Sequence, residues 1–78
     1  MNNWISNELE APYAGTLVWV KWHGIVTNKE EKIWLGRRDV HSGDTSWKVV
    51  NPKNFRDTNC LPDECVTEWM FVSVPLGV

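Results

Sequence analysis

The sequence predicts a mainly β fold, a small antiparallel sheet of four to five strands arranged as a meander, for which a barrel-like closure is one available form. Three observations carry that expectation. Residues 16–26 (TLVWVKWHGIV) alternate along a strand, with β-branched and aromatic residues dominating. No stripe at helical spacing fits that stretch better. Short polar segments carrying Gly or Pro then punctuate the rest of the chain at hairpin intervals.

The stretch 16–26 is the expected central strand. It sets Val18, Val20, Trp22 and Val26 on a core-facing side and Leu17, Trp19, Lys21, His23 and Ile25 on a mixed side. Before it, Trp4-Ile5-Ser6 reads as a very short strand or anchor, packed near Trp69, and Pro12 and Gly15 bracket a turn. After it, residues 27–30 have hairpin-loop length and residues 32–40 form an antiparallel second strand. His41-Ser42-Gly43-Asp44 is a turn with Gly43 available for a positive φ, and residues 46–50 form a third strand. Residues 51–64 are polar, with Pro52, Pro62 and few apolar anchors. They read as a long loop with room for one short helical turn near residues 63–66. Residues 65–74 return to alternation as the closing strand, ended by Pro75.

A chain of 78 residues makes one domain over residues 1–78, with little surface to bury. Six Trp residues help to offset that, since each large ring removes roughly 150–250 Å² from water. The net charge is −2, unevenly spread. All eight cations lie between Lys21 and Arg56 against four carboxylates there, a window of +4 between flanks totalling −6. Neither a secretory leader nor an apolar run of membrane length is visible, so a cytoplasmic setting with reduced Cys60 and Cys65 is expected.

Trp4-Ile5-Ser6, then Gly15-Thr16-Leu17-Val18-Trp19, and the closing Val66-Thr67-Glu68-Trp69-Met70 resemble one family of phage and prophage proteins, the "domain of unknown function 551" family. Its members run W-I-S, then L-P and G before a V-L-V-W strand, and end V-T-H-W-M-P-L-P. The likeness covers nearly the whole chain, with Trp47 in the place of a usual Trp. Leu9-Glu10-Ala11-Pro12 stretches the L-P, Glu68 replaces a common His, Phe71-Val72-Ser73-Val74-Pro75 replaces P-L-P, and residues 51–64 read as an addition. The resemblance implies a phage-borne accessory protein of the bacterial cytoplasm and implies no reaction.

If Val26 pairs with Glu31 in the first hairpin, one face displays Trp19, Lys21, His23, Trp34 and Arg38, with Trp47 nearby. Rings interleaved with cations suit a protein hot spot, and they suit base stacking with phosphate contacts. The competing arrangement makes Trp19 and Trp34 core, with Lys and Arg draped over them. Cys60 and Cys65, even with His23 and His41, lack the short ligand spacings of zinc sites, so no metal and no cofactor is expected. Asp39, His41 and Ser42 read as a polar turn and not as a nucleophile with its base. Arg37 and Arg38 point to opposite faces of a strand. The expected function is a non-enzymatic binding protein, phage-encoded and acting by contact with a host or phage protein, with antagonism of host machinery or defence as an analogy. Nucleic-acid binding through the basic middle and a homodimer paired at a sheet edge are the alternatives.

Overall fold

The computed structural model describes residues 4–24 and 30–72. Six strands form one antiparallel sheet: β1 (Ile5–Ser6), β2 (Leu17–Trp22), β3 (Lys32–His41), β4 (Asp44–Asn51), β5 (Asn54–Pro62) and β6 (Val66–Phe71). Their spatial order is β1, β6, β2, β3, β4, β5. Strands β2 to β5 follow one another as a meander, while β6 returns to lie between β1 and β2. Among the described residues no helix is long and apolar enough to cross a membrane.

The core lies on one face of this sheet, which curls around it. A 3-10 turn of three residues, Asp63–Cys65, joins β5 to β6, although β4, β3 and β2 stand between those strands. Four strand spacings in a flat sheet span roughly 19 Å. From Pro62 to Val66 the extended chain reaches at most about 14 Å. The sheet therefore has to bend, and the backbone N–H of His23 donates to the carbonyl of Cys65 at 3.0 Å where the turn passes β2. The result is an open sheet bent toward a barrel, with β1 and β5 as unjoined edges.

Val18, Val20, Trp22, Trp47, Val49, Leu61, Cys65, Val66 and Trp69 make up the buried cluster, with Ile5 and Trp34 packed against it. The alternation expected for β2 is present: Val18, Val20 and Trp22 are buried and their neighbours are not. Gly36 sits within this cluster for a steric reason. A Cβ there would stand 2.7 Å from the Lys48 carbonyl oxygen, 2.7 Å from Val49 Cγ1 and 3.1 Å from Val20 Cγ2. A mid-strand glycine thus lets two valines close over the backbone.

Residues 8–16 cross this same face as a strap and cover it. The Trp69 indole N–H donates to the Glu10 carbonyl at 2.8 Å. Arg38 holds the strap twice: its guanidinium donates to the Pro12 carbonyl at 3.3 Å, and its own carbonyl accepts from Gly15 N–H at 2.9 Å. Gly15, at φ 88°, supplies the left-handed residue that turns the strap into β2. Pro12 is buried beneath it, while Leu9 and Tyr13 point outward.

Several expectations are corrected. The stretch 51–64 is not a loop: a tight turn, in which the Asn51 side chain accepts from Lys53 N–H at 3.0 Å, leads into β5, a sixth strand. This edge strand is exposed on both sides along most of its length. Only Leu61 is buried, so it has no hydrophobic alternation to read. The short helical turn does fall near residues 63–66. Strand β2 stops at Trp22, where a bulge opposite Thr67 shifts the pairing with β6; Ile25, Val26 and residues 27–29 lie outside the described residues, as do residues 73–75. The β2–β3 register is displaced by three residues from the expected one: Val20 faces Trp34 and Val18 faces Gly36. An odd displacement turns every β3 side chain to the other face.

Candidate functional site

The register divides the side chains between a covered face and an open one. Met70, Trp19, Leu35, Val50 and Thr58 stand directly opposite one another across β6, β2, β3, β4 and β5 on the open face. One row further along are Leu17, Arg37, Lys48 and Cys60. On the other side of the central row lie Ser6, Glu68, Lys21 and Ile33. None of these residues is buried, whereas the covered face holds the whole central cluster. Leu17 and Ile33 are 54% and 50% exposed, although they lie at the start of β2 and β3, two strands paired on both sides.

Charges border the apolar row. On one side Lys21 Nζ meets Glu68 Oε1 at 2.9 Å and lies 4.5 Å from the centre of the Trp4 ring. On the other side Lys48 Nζ is 3.6 Å from Asp39 Oδ2, while Arg37 forms no ion pair among the described residues. A groove of about 580 Å³ runs over Leu17, Gly36, Val50, Thr58 and Asn59 between Arg37, Lys48 and Cys60. Cys60 is a free, exposed thiol. Cys65 is also free but buried; its pKa is raised first by loss of water around it and then by the nearby Glu64 carboxylate.

The six residues expected to form a joint face are therefore split. Trp19 and Lys21 are on the open face. Trp34, Arg38 and Trp47 share the covered face: Trp34 packs edge-on against Trp22 at 5.0 Å, Arg38 is tied to the strap, and Trp47 is fully buried. His23 follows the end of β2, with Nδ1 2.9 Å from the Gly24 carbonyl. The displaced register is the reason, since it moves Trp34 and Arg38 to the side of Val20 and Val18. Rings and a cation do interleave on the covered side, where Lys32 Nζ lies 5.1 Å from Trp22 and 5.7 Å from Trp34.

Leu17, Ile33, Leu35, Arg37, Val50 and Met70 were not singled out by sequence reasoning. The signal that could have found them is Gly36, because a glycine inside a strand marks a close approach and would have fixed the register. His41 and Ser42 occupy a hairpin tip; both are exposed and no hydrogen bond joins them. Among the described residues no group of three or more His, Cys, Asp or Glu could hold a metal ion. No family model, no curated protein and no solved structure matches this chain. The family resemblance therefore rests on its residue motifs alone.

Proposed function

We propose that this chain is a non-enzymatic accessory binding protein, phage-encoded, that engages a host or phage protein through the open face of its sheet. One observation carries the reading. An apolar row of Met70, Trp19, Leu35 and Val50 runs across four paired strands with no element packed over it among the described residues, and Leu17 and Ile33 project beside it half-exposed. Small domains need their apolar surface for their own core, so a contiguous strip left outside marks a contact surface. Charged side chains along both sides give that strip the apolar centre and polar rim of a protein interface.

Nucleic-acid binding fits this face less well. Stacking platforms for bases need exposed rings, and Trp4 and Trp19 are both partly buried here. The experiment is affinity purification from phage-infected cells with quantitative mass spectrometry, comparing the wild type with Leu17→Glu/Ile33→Glu. A partner recovered by the wild type and lost with the double variant is the expected result. Recovery undiminished in the variant, or no partner with either, overturns the proposal.

A further inference from the structure

Arg37 and Lys48 are direct cross-strand partners, a like-charge pair that a sheet avoids because both side chains leave the same face from Cβ atoms roughly 5 Å apart. Only one of them is compensated within the chain. Lys48 reaches Asp39 at 3.6 Å, a long and exposed contact, while Arg37 has no ion-pair partner among the described residues. Both belong to the +4 stretch between Lys21 and Arg56, where cations outnumber carboxylates. The pair flanks a groove of about 580 Å³, a volume suited to a few side chains of a peptide, with Leu17 and Val50 as its apolar lining.

We infer that this groove seats an acidic segment of a partner protein, with a carboxylate between Arg37 and Lys48 and an aliphatic neighbour on Leu17 and Val50. The inference rests on the reading of the open face as a protein-binding surface and names the chemistry that face selects. A carboxylate relieves the Arg37–Lys48 repulsion and accepts from both heads at once, the planar guanidinium fixing its orientation. Apolar and charged contacts then come together in one place, which is how such grooves gain specificity over plain electrostatic attraction. A phosphate backbone would need a longer track of cations with exposed rings alongside, and in this groove the apolar lining takes that place.

The test presents the folded full-length protein with an array of randomised heptapeptides. The wild type is expected to select peptides that place Asp or Glu beside Leu, Ile or Val. Arg37→Glu/Lys48→Glu is expected to bind those peptides at least tenfold more weakly and to select Lys- or Arg-containing ones instead. Both side chains are exposed, and Arg37→Gln/Lys48→Gln, checked by thermal melting, separates loss of charge from loss of fold. A second measurement uses Cys60 on the groove wall: a bulky maleimide there should abolish peptide binding, and Cys60→Ser should be indifferent to the reagent.

Selected peptides without a carboxylate, or acidic peptides that bind the reversed-charge protein equally well, overturn the inference. So does single-stranded DNA that binds through Arg37 and Lys48 while no peptide is selected, and so does a dimer in sedimentation that buries the groove. If selection ignores Arg37 and Lys48 yet fails in Ile33→Glu, a face residue outside the groove, as well as in Leu17→Glu/Ile33→Glu, the groove is wrong and the face is right. If Leu17→Glu/Ile33→Glu changes neither peptide nor partner binding, the face itself is wrong.

Discussion

The two faces of the sheet are made by the same strands and differ in what crosses them. On one side the strap over residues 8–16 and the turn Asp63–Cys65 close over Val18, Val20, Trp47, Val49 and Trp69. On the other, Trp19, Leu35, Val50 and Met70 form an equally regular row with no element above it among the described residues. Strand alternation alone would make these two faces look alike, since both are rich in β-branched and aromatic residues. What separates them is polar anchoring. Two large rings of the covered face reach an oxygen outside the sheet, Trp69 the Glu10 carbonyl and Trp47 the Asp63 carboxylate at 2.8 Å, while the buried Trp22 indole N–H has no partner among the described residues. The Asp63 carboxylate also accepts from the Asn7 amide at 3.0 Å, tying the start of the strap to the same turn. Cover is therefore fixed by a few hydrogen bonds as much as by hydrophobicity.

That contrast can be broken most strongly at its centre. Trp47→Ala empties a fully buried site and should cost about 3–5 kcal/mol in a urea titration, enough to unfold much of a domain this small. Gly36→Ala comes next. The added methyl meets a backbone carbonyl and a valine methyl at 2.7 Å, neither of which can swing aside, so a loss at the upper end of about 1–3 kcal/mol is expected from the same titration. Asp63→Ala leaves the buried Trp47 indole N–H without its acceptor and should cost about 1–2 kcal/mol, whereas Asp63→Asn, which keeps an oxygen, should cost less. On the open face, Leu17→Glu should shift stability by no more than about 0.5 kcal/mol while abolishing partner recovery. If it unfolded the protein instead, the distinction between the faces would fail.

The smallest effect concerns the two thiols. Cys60 should react with a maleimide in the native protein and Cys65 only on unfolding, as mass spectrometry of the labelled chain would show. The raised pKa of Cys65 means that the folded state keeps that thiol proton to higher pH than the unfolded chain does. Its contribution is thus complete at neutral pH and declines as pH rises past the ordinary thiol range. Melting curves for the wild type and Cys65→Ala should draw closer together above that point. A wild-type advantage that grew there would contradict the burial of the thiol.

How much of this was legible in the sequence follows the same division. Strands whose inner face is buried announced themselves: β2 by Val18, Val20 and Trp22, and β6 by Val66 and Trp69. Trp4-Ile5-Ser6 reached its place beside Trp69 for the same reason, since Ile5 pairs with that residue. Strand β5 was illegible because a polar edge strand exposes residues on both sides and draws its stability from the β4 ladder, which leaves no periodic mark. The site was half legible. Trp19 and Lys21 belong to a strand whose own alternation fixes their side, but Trp34 and Arg38 depended on a register that only Gly36 specifies.

Strand β6 is the last to be synthesised, yet it lies between β1 and β2, the first two. Val20 and Trp69, partners in that seam, are separated by nearly fifty residues of chain. A ribosome that has delivered everything up to Pro62 holds a meander with its inner edge unpaired and its N-terminal strap with no Trp69 to grip. The seam therefore cannot close in a chain that stops at Pro62, and a released chain ending there should be digested by protease faster than one that carries β6 through Phe71.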